Sequence, residues 1–516
     1  MLLFPIIALR ILKVNPNLLY VVAFCKFYHD HFAILILTNT RKNQGEQKME
    51  LLFLTLNKDE DTSLYEQLYL NLKQAIIQKD IAFGTKLPSK RALGDFLNIS
   101  QTTIELAYGQ LLAEGYIMSK PRVGYFVEAI DELPYVEKVA HQTTTQLEQP
   151  LSFQYDFSPG KIDEDGFPFQ LWRKYAKDIY DESSKYLLQS GHPQGEQVLR
   201  VEIARYLYES RGIYCIPEQI VIGSGTEQLL PMILRLFDED AKFALENPGY
   251  SAIPQAHLQS RAIPISVDED GLIVDELEKS EANLVYITPS HQFPTGAVLS
   301  ATRRTQLLKW ASQNSSRYII EDDYDSEFRY IGKPIPALQG LDKGDRVIYM
   351  STFSKSIMPS LRVAYLILPL SLLPKYKEVF SYYSATVPRF DQHILANFMR
   401  DGHFSKHLNR MRKIYRKKHD KLISVFSKCY PHVKISGDSA GMHVLLSVPH
   451  SLSEKELQAK ALTTGLHIQP ITRYMLTPLL YAHPTFILGF GGIPLESIEN
   501  AVHALMQTFY DDNSTL

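Results

Sequence analysis

Ser351-Thr352-Phe353-Ser354-Lys355 sets a lysine among hydroxyl side chains directly behind Val347-Ile348-Tyr349-Met350, an apolar run that reads as a buried strand. A lysine at the mouth of such a strand is partly desolvated, which lowers its pKa and makes its amine a nucleophile able to form a Schiff base. The hydroxyls just before it, with Arg362 seven residues later, can hold a phosphate. Amine and phosphate grip together are the anchor expected for pyridoxal phosphate. A lone lysine after a strand is more often an ordinary surface residue, so the reading depends on what the rest of the chain places beside it.

From Tyr155 onward, apolar strand-like runs alternate with amphipathic helices, the pattern of an α/β layered fold with a mostly parallel sheet. Ligands in such folds gather beyond the carboxyl ends of the strands. After Gln219-Ile220-Val221-Ile222 comes Gly223-Ser224-Gly225-Thr226, then a helix expected over residues 229–237. A glycine-rich turn into a helix N-terminus offers N–H groups and a positive dipole end to a phosphate. After Phe243-Ala244-Leu245-Glu246 comes Asn247-Pro248-Gly249-Tyr250, whose ring can stack on a flat cofactor or simply pack in the turn. After Tyr318-Ile319-Ile320 comes Glu321-Asp322-Asp323-Tyr324-Asp325. Four acids in five residues repel one another unless something cationic or solvent is near. A protonated pyridine nitrogen meets that need, and a carboxylate beside it keeps the ring charged as an electron sink. A solvated acidic turn or a divalent-metal site is the alternative.

The chain that positions these residues is 516 long, too long for one compact domain, and 45% hydrophobic, which suits a globular protein with a sizeable core. A net charge of -3 gives no global pull toward nucleic acid or membrane. Cys25, Cys215 and Cys429 lie too far apart for a disulfide framework or a metal site, so a reducing cytoplasm is expected. In residues 1–48 charged residues interrupt every apolar run, none reaching the roughly 20 residues a bilayer helix needs. A fresh start at Met49 leads us to expect that Met49 is the initiator and that residues 1–48 are a non-native or disordered extension.

Residues 62–127 read as a small module. Leu64, Leu68, Leu72 and Ile76 recur at helical spacing. Ser89 opens a second helix and Ser100 a third, in which Ile104, Ala107, Tyr108 and Leu111 face inward. Lys120-Pro121-Arg122-Val123-Gly124-Tyr125-Phe126-Val127 is the turn and returning strand of a basic hairpin. Helices joined by a tight turn and followed by such a hairpin describe a winged helix-turn-helix, with a bland three-helix bundle as the alternative. Gln101, Thr102 and Thr103 would reach base edges in a major groove and Ser89, Lys90 and Arg91 would meet phosphates, with Ser100 and Gly124 completing the expected DNA-binding set. Seven Lys/Arg against five Asp/Glu leave the module only +2, so one copy should bind DNA weakly and with clear salt dependence. Residues 128–153 are mostly polar and aperiodic, a linker. The large module follows over residues 154–512.

Leu64-Tyr65-Glu66-Gln67-Leu68, Leu87-Pro88-Ser89-Lys90-Arg91, residues 100–103 and Ala113-Glu114-Gly115-Tyr116 resemble the DNA-binding domain of the GntR family. That family usually carries arginine after the capping serine; Gln101 stands here, and glutamine favours adenine. Gly225-Thr226, Tyr250, Asp322, Tyr324, Lys355 and Arg362 resemble the cofactor site of fold-type I aminotransferases, over roughly residues 155–510. The resemblance implies that Lys355 forms the Schiff base with pyridoxal phosphate and that Asp322 pairs with the pyridine nitrogen. Tyr324 would bond the ring hydroxyl and Tyr250 stack on the ring, while Ser224, Gly225, Thr226, Thr352 and Arg362 hold the phosphate. Two positions depart from that pattern. Phe293 replaces the asparagine before Pro-Thr-Gly, and Phe486-Ile487-Leu488-Gly489-Phe490 lacks the arginine that grips a substrate carboxylate. Arg473 is the nearest candidate for that grip, or else an exposed arginine with no ligand.

The two modules in one chain resemble the MocR subfamily of GntR-type regulators, as do Glu321-Asp322-Asp323-Tyr324-Asp325-Ser326-Glu327-Phe328 and Ser290-His291-Gln292-Phe293-Pro294-Thr295-Gly296. That resemblance implies a homodimer that binds a DNA operator and senses an amino compound, such as 4-aminobutyrate, or pyridoxal phosphate itself. The competing reading is a pyridoxal phosphate-dependent aminotransferase with a vestigial DNA-binding module. A lesser one is a pyridoxal phosphate-binding protein with no amine ligand.

Overall fold

A computed structural model describes residues 7–15, 18–25, 31–34, 54–57, 62–129, 152–250, 252–330 and 335–510. The chain divides into two compact units, residues 1–148 and 149–516.

In the first unit, helices α1 (Leu64–Ile77), α2 (Lys90–Leu97) and α3 (Gln101–Ala113) precede strands β1 (Ile117–Lys120) and β2 (Gly124–Val127). Leu68, Leu72 and Ile76 of α1 and Ile104, Ala107, Tyr108 and Leu111 of α3 are all buried, as the spacing of their apolar positions demands. Each fully buried leucine or isoleucine among them contributes roughly 1.5–3 kcal/mol of apolar transfer free energy. Asn98 ends α2 in the left-handed region (φ 51°), and Ser100 caps α3 by accepting from the Thr103 N–H at 3.1 Å. That pair of devices makes the tight turn between the two helices. β1 and β2 pair antiparallel, Ile117 opposite Val127. The unit is the winged helix-turn-helix expected. Within 1–48 the described pieces are backbone strands, Ile7–Asn15 antiparallel to Leu18–Cys25, and His31–Ile34 antiparallel to Leu54–Asn57. Met49 lies outside the described residues, as do residues 130–151 of the expected linker.

The second unit is built on an eight-stranded sheet. Its strands are β3 (Ile220–Gly223), β4 (Phe243–Asn247), β5 (Ala262–Asp268), β6 (Gly271–Leu272), β7 (Leu284–Ile287), β8 (Tyr318–Asp323), β9 (Val347–Thr352) and β10 (Ala364–Ile367), in the order β6-β5-β4-β7-β8-β9-β10-β3. β5, β4, β7, β8 and β9 run parallel, while β10 is antiparallel to both its neighbours. β4, β7 and β8 are buried along their whole length, which explains the apolar runs Phe243-Ala244-Leu245, Leu284-Val285-Tyr286-Ile287 and Tyr318-Ile319-Ile320. Helix α4 covers Thr226–Leu234, not residues 229–237. Apolar periodicity missed its first turn, Thr226-Glu227-Gln228, because polar side chains occupy the end that opens toward the site. A smaller antiparallel sheet, β11 (Lys434–Ser436), β12 (His443–Ser447), β13 (Gln469–Pro470) and β14 (Thr485–Gly489), has the order β11-β12-β14-β13. Val444, Leu446, Phe486 and Leu488 from this sheet share one core with Met411, Tyr415 and Leu422 of α5 (His403–Cys429) and Val502 and Leu505 of α6 (Ile498–Tyr510).

Candidate functional site

A cavity of about 410 Å³ opens in the second unit where β4, β7, β8 and β9 end and α4 begins. Gly225, Thr226, Tyr250, Asp322, Tyr324, Thr352, Lys355 and Arg362 all line it, although the sequence scatters them over nearly the whole sheet. Parallel strands end on one side, and the antiparallel β10 starts there, which is how Arg362 joins residues that follow parallel strands. Ser224 and Arg473 do not line the cavity. The Ser224 hydroxyl and N–H both donate to Gln228 Oε1, at 3.1 and 2.7 Å. Arg473 is exposed on the short turn Ile471–Tyr474, which directs Ile471 into the core and Tyr474 to the cavity.

Lys355 is half-buried, and its amine donates to the carbonyl of Pro159, which also lines the cavity. Burial holds its pKa below the ordinary lysine value, with Asp325 opposing that shift. Asp322, only 5% exposed, is pushed up to about 7 by burial, while the hydrogen bond donated by the Tyr286 hydroxyl pulls the other way. Among the described residues Asp322 makes no ion pair, so a carboxylate faces the cavity with no cation beside it. The other acids of the cluster have separate partners. Glu321 accepts the N–H groups of Leu338 and Gln339 at 2.7 and 2.8 Å. Asp323 pairs with Arg211 at 2.8 Å and accepts from the Tyr349 hydroxyl at 2.6 Å. Asp325 meets His291 Nδ1 at 3.0 Å. All four acids are buried, so the alternative of a solvated acidic turn falls.

On the opposite wall, Gly225 has φ 144°, and a Cβ there would stand 2.5 Å from Arg362 Nη2. Glycine is therefore required both by backbone conformation and by the guanidinium packed over it. Arg362, itself at φ 51°, pairs with Glu227 at 2.8 Å. The N–H groups at the start of α4, the hydroxyls of Thr226, Thr352 and Ser354, and this guanidinium make a donor set suited to a phosphate. Phe293 meets the rings of Tyr250, Tyr324 and Tyr474 edge-on at 5.9, 6.0 and 4.8 Å between centroids. At the position where fold-type I aminotransferases carry an asparagine, the wall is thus aromatic. These features fit pyridoxal phosphate: a bare buried carboxylate for a pyridinium, an enclosed amine for the carbonyl, and a glycine-floored anion cradle. Sequence reading missed Tyr286, His291 and the strap at Ser158, Pro159 and Gly160, which also lines the cavity. For Tyr286 there was a signal, since it is the one polar side chain of its strand.

The residues expected at DNA lie on the first unit. Ser89 caps α2 by accepting from the Ala92 N–H at 3.2 Å. Gln101 and Thr102 are exposed on the first turn of α3, while the Thr103 hydroxyl lies 2.8 Å from that of Ser100. Arg91 is exposed with Asp95 at 3.9 Å, and Lys90 pairs with Glu105 at 2.5 Å. Gly124 has φ 130° beside the Lys86 side chain, and Lys120 and Arg122 are exposed in the wing. No helix among the described residues is long and apolar enough to cross a membrane.

Residues 154–505 match the family described as aminotransferase class I and II, and residues 64–127 match the gntR family of bacterial regulatory proteins. The uncharacterized HTH-type transcriptional regulator YdeL of Bacillus subtilis is 44% identical over 458 residues, covering 87% of this chain and 97% of that protein. The probable rhizopine catabolism regulatory protein MocR of Rhizobium meliloti is 30% identical, covering 88% of this chain and 96% of that protein. An archaeal alanine:glyoxylate aminotransferase of known crystal structure is similar at a TM-score of 0.64 and 25% identity, covering 69% of this chain and 91% of that one.

Proposed function

Because the chain belongs to the MocR-type regulators of the gntR family, with a pyridoxal phosphate-dependent aminotransferase class I and II domain, we propose that it detects an amino compound at the Lys355 cavity and answers by changing its grip on a DNA operator. Bound at Lys355, pyridoxal phosphate supplies an electrophilic carbon that combines reversibly with primary amines. The chain's own residues do the rest in this reading. Lys355 anchors the group and Asp322 carries the negative charge that faces its ring nitrogen. Tyr324 and Tyr250 hold the ring, and Gly225, Thr226, Thr352 and Arg362 grip the phosphate. Ser224 acts from behind, by fixing the Gln228 side chain. Arg473 would have to turn inward to meet an effector carboxylate such as that of 4-aminobutyrate. The operator is met by Ser89, Lys90, Arg91, Ser100, Gln101, Thr102, Thr103 and Gly124. Two such modules on a homodimer offset the weak charge of one. Working boundaries are 62–127 for the DNA module and 154–512 for the sensing domain.

The observation that supports the reading is that one chain carries both the cavity and the capped helix. The amine-and-phosphate cavity keeps its lysine and bare carboxylate, and α3 keeps its cap with Gln101 and Thr102 exposed. An effector shifts the equilibrium between two arrangements only by its difference in affinity for them. The test titrates purified protein carrying pyridoxal phosphate with amines and amino acids, following visible absorbance, operator affinity by fluorescence anisotropy, and release of keto product. An amine that moves both absorbance and operator affinity without keto product is the expected result. Rapid multiple turnover with no sequence-specific DNA binding would make the chain an aminotransferase instead.

A further inference from the structure

Behind Tyr324 stands a buried pair that the cavity reading leaves without a task. His291 and Asp325 have side chains only 1% and 2% exposed, with Nδ1 and Oδ2 3.0 Å apart. The Tyr324 hydroxyl is 3.0 Å from the same Nδ1 and 3.0 Å from the His291 carbonyl oxygen. Gly441 closes over the pair so tightly that a Cβ there would lie 2.1 Å from His291 Cε1 and 2.6 Å from Asp325 Oδ2. Its carbonyl accepts from the Tyr330 hydroxyl at 2.6 Å, which keeps that backbone in place.

The chemistry of the contacts restricts the protons. An ionised carboxylate only accepts, so the histidine nitrogen facing Asp325 must carry hydrogen. With Nδ1 a donor, it cannot take the proton of Tyr324. That single hydroxyl proton then has two destinations, the His291 carbonyl or the cavity. We propose that Asp325 and His291 are positioning residues that, by keeping Nδ1 protonated, reserve the Tyr324 hydroxyl as a donor to the ring oxygen of pyridoxal phosphate. The inference rests on the reading that places Tyr324 at that oxygen. Phe293 adds no competing donor on this wall.

Other charged groups surround the set and must be weighed. Asp322 and Asp323 flank Tyr324 from β8, and Glu246 at the end of β4 acts on it as well. His443 from β12 faces both His291 and Lys355, and Lys355 feels Asp325. This last coupling makes the test a matter of sign. A donor to the ring oxygen stabilises its anionic form and lowers the pH at which the Lys355-bound group loses its proton. Losing that donor raises the midpoint. Removing the Asp325 charge by itself does the opposite, because that charge favours the protonated form.

The experiment is a pH titration of the visible absorbance of full-length protein loaded with pyridoxal phosphate, for wild type, Tyr324→Phe, Asp325→Asn and the double variant. A hydrogen bond to a charged acceptor contributes roughly 1.5–3 kcal/mol, so Tyr324→Phe should raise the midpoint by about one to two pH units. Asp325→Asn should also raise it, by less than Tyr324→Phe because the lost charge offsets part of the rise, and the double variant should lie below Tyr324→Phe by that charge effect alone. His291→Asn keeps an N–H at the Nδ1 position and should leave the midpoint near that of wild type. A midpoint that falls or stays put in Asp325→Asn, while Tyr324→Phe raises it, overturns this inference and leaves the wider reading standing. A wild type with no Lys355-dependent band overturns both. Should Asp325→Asn fail to fold, nitrogen-15 NMR of the wild-type imidazoles decides: a His291 protonated on Nδ1 is expected, and one protonated only on Nε2 refutes the assignment.

Discussion

Replacing Gly225 with alanine perturbs two things that can be read separately. At φ 144° the added Cβ strains the backbone, at a cost of about 1–3 kcal/mol for a non-glycine residue in so sparsely populated a region. The same Cβ would lie 2.5 Å from both Arg362 Nη2 and Glu227 Oε2, so the guanidinium must swing away from the cradle. Displacing one charge-assisted contact to a phosphate costs a further 1.5–3 kcal/mol or so, about a 10- to 150-fold weaker hold. Strain alone would lower thermal stability and weaken pyridoxal phosphate and pyridoxal equally. Loss of the arginine weakens only the ligand that carries the phosphate. Equilibrium titration of the apoprotein by absorbance, with both ligands, separates the two effects. The expected result is a drop of at least about tenfold in the affinity ratio of pyridoxal phosphate to pyridoxal. An unchanged ratio would show that Arg362 does not serve the phosphate, and the assignment of this wall would be wrong.

Three other perturbations test the remaining parts. Lys355→Ala should abolish the visible absorbance that covalent attachment produces, and a band of wild-type intensity would refute the anchor. Asp322 is pushed up to about 7 by burial from an ordinary value of 3.8. Its neutral form therefore favours the fold at low pH, and that contribution fades as pH rises from about 4 through about 7. The stability of the apoprotein relative to Asp322→Asn, measured by urea unfolding, should fall across that window, and added pyridoxal phosphate should lessen the fall. A difference independent of pH would count against a bare carboxylate. On the DNA unit, Arg91→Ala should weaken all sequences alike and make the salt slope shallower by about one, whereas Gln101→Ala should mainly relax base preference, both read by anisotropy. Equal losses on every sequence for the Gln101 change would remove it from base recognition.

Much of this was legible in the chain because the signals are local. The caps at Ser89 and Ser100, the inward stripe at Ile104, Ala107, Tyr108 and Leu111, and the buried strand before Lys355 each depend on neighbours within a turn or a strand. Strand ends in a parallel sheet lie on one side, so the residues just past each apolar run already gathered Gly225, Tyr250, Asp322, Tyr324 and Lys355. The exposure of Arg473 was not legible, because one residue of rotation in a short turn decides whether Arg473 or Tyr474 faces the cavity.

Residue type and order alone thus determined that a lysine behind a buried strand, hydroxyl and arginine side chains suited to a phosphate, and a serine-capped helix with an exposed first turn occur in one chain. The acid cluster shows what they could not determine. Four carboxylates in five residues look alike in sequence, yet each has a different partner: backbone N–H groups for Glu321, Tyr286 for Asp322, Arg211 for Asp323 and His291 for Asp325. Those partners come from 17 to 112 residues away, and only packing brings them within hydrogen-bond reach. Tertiary structure therefore decided which carboxylate stays bare toward the cavity, because a buried charge is set by what the fold places against it.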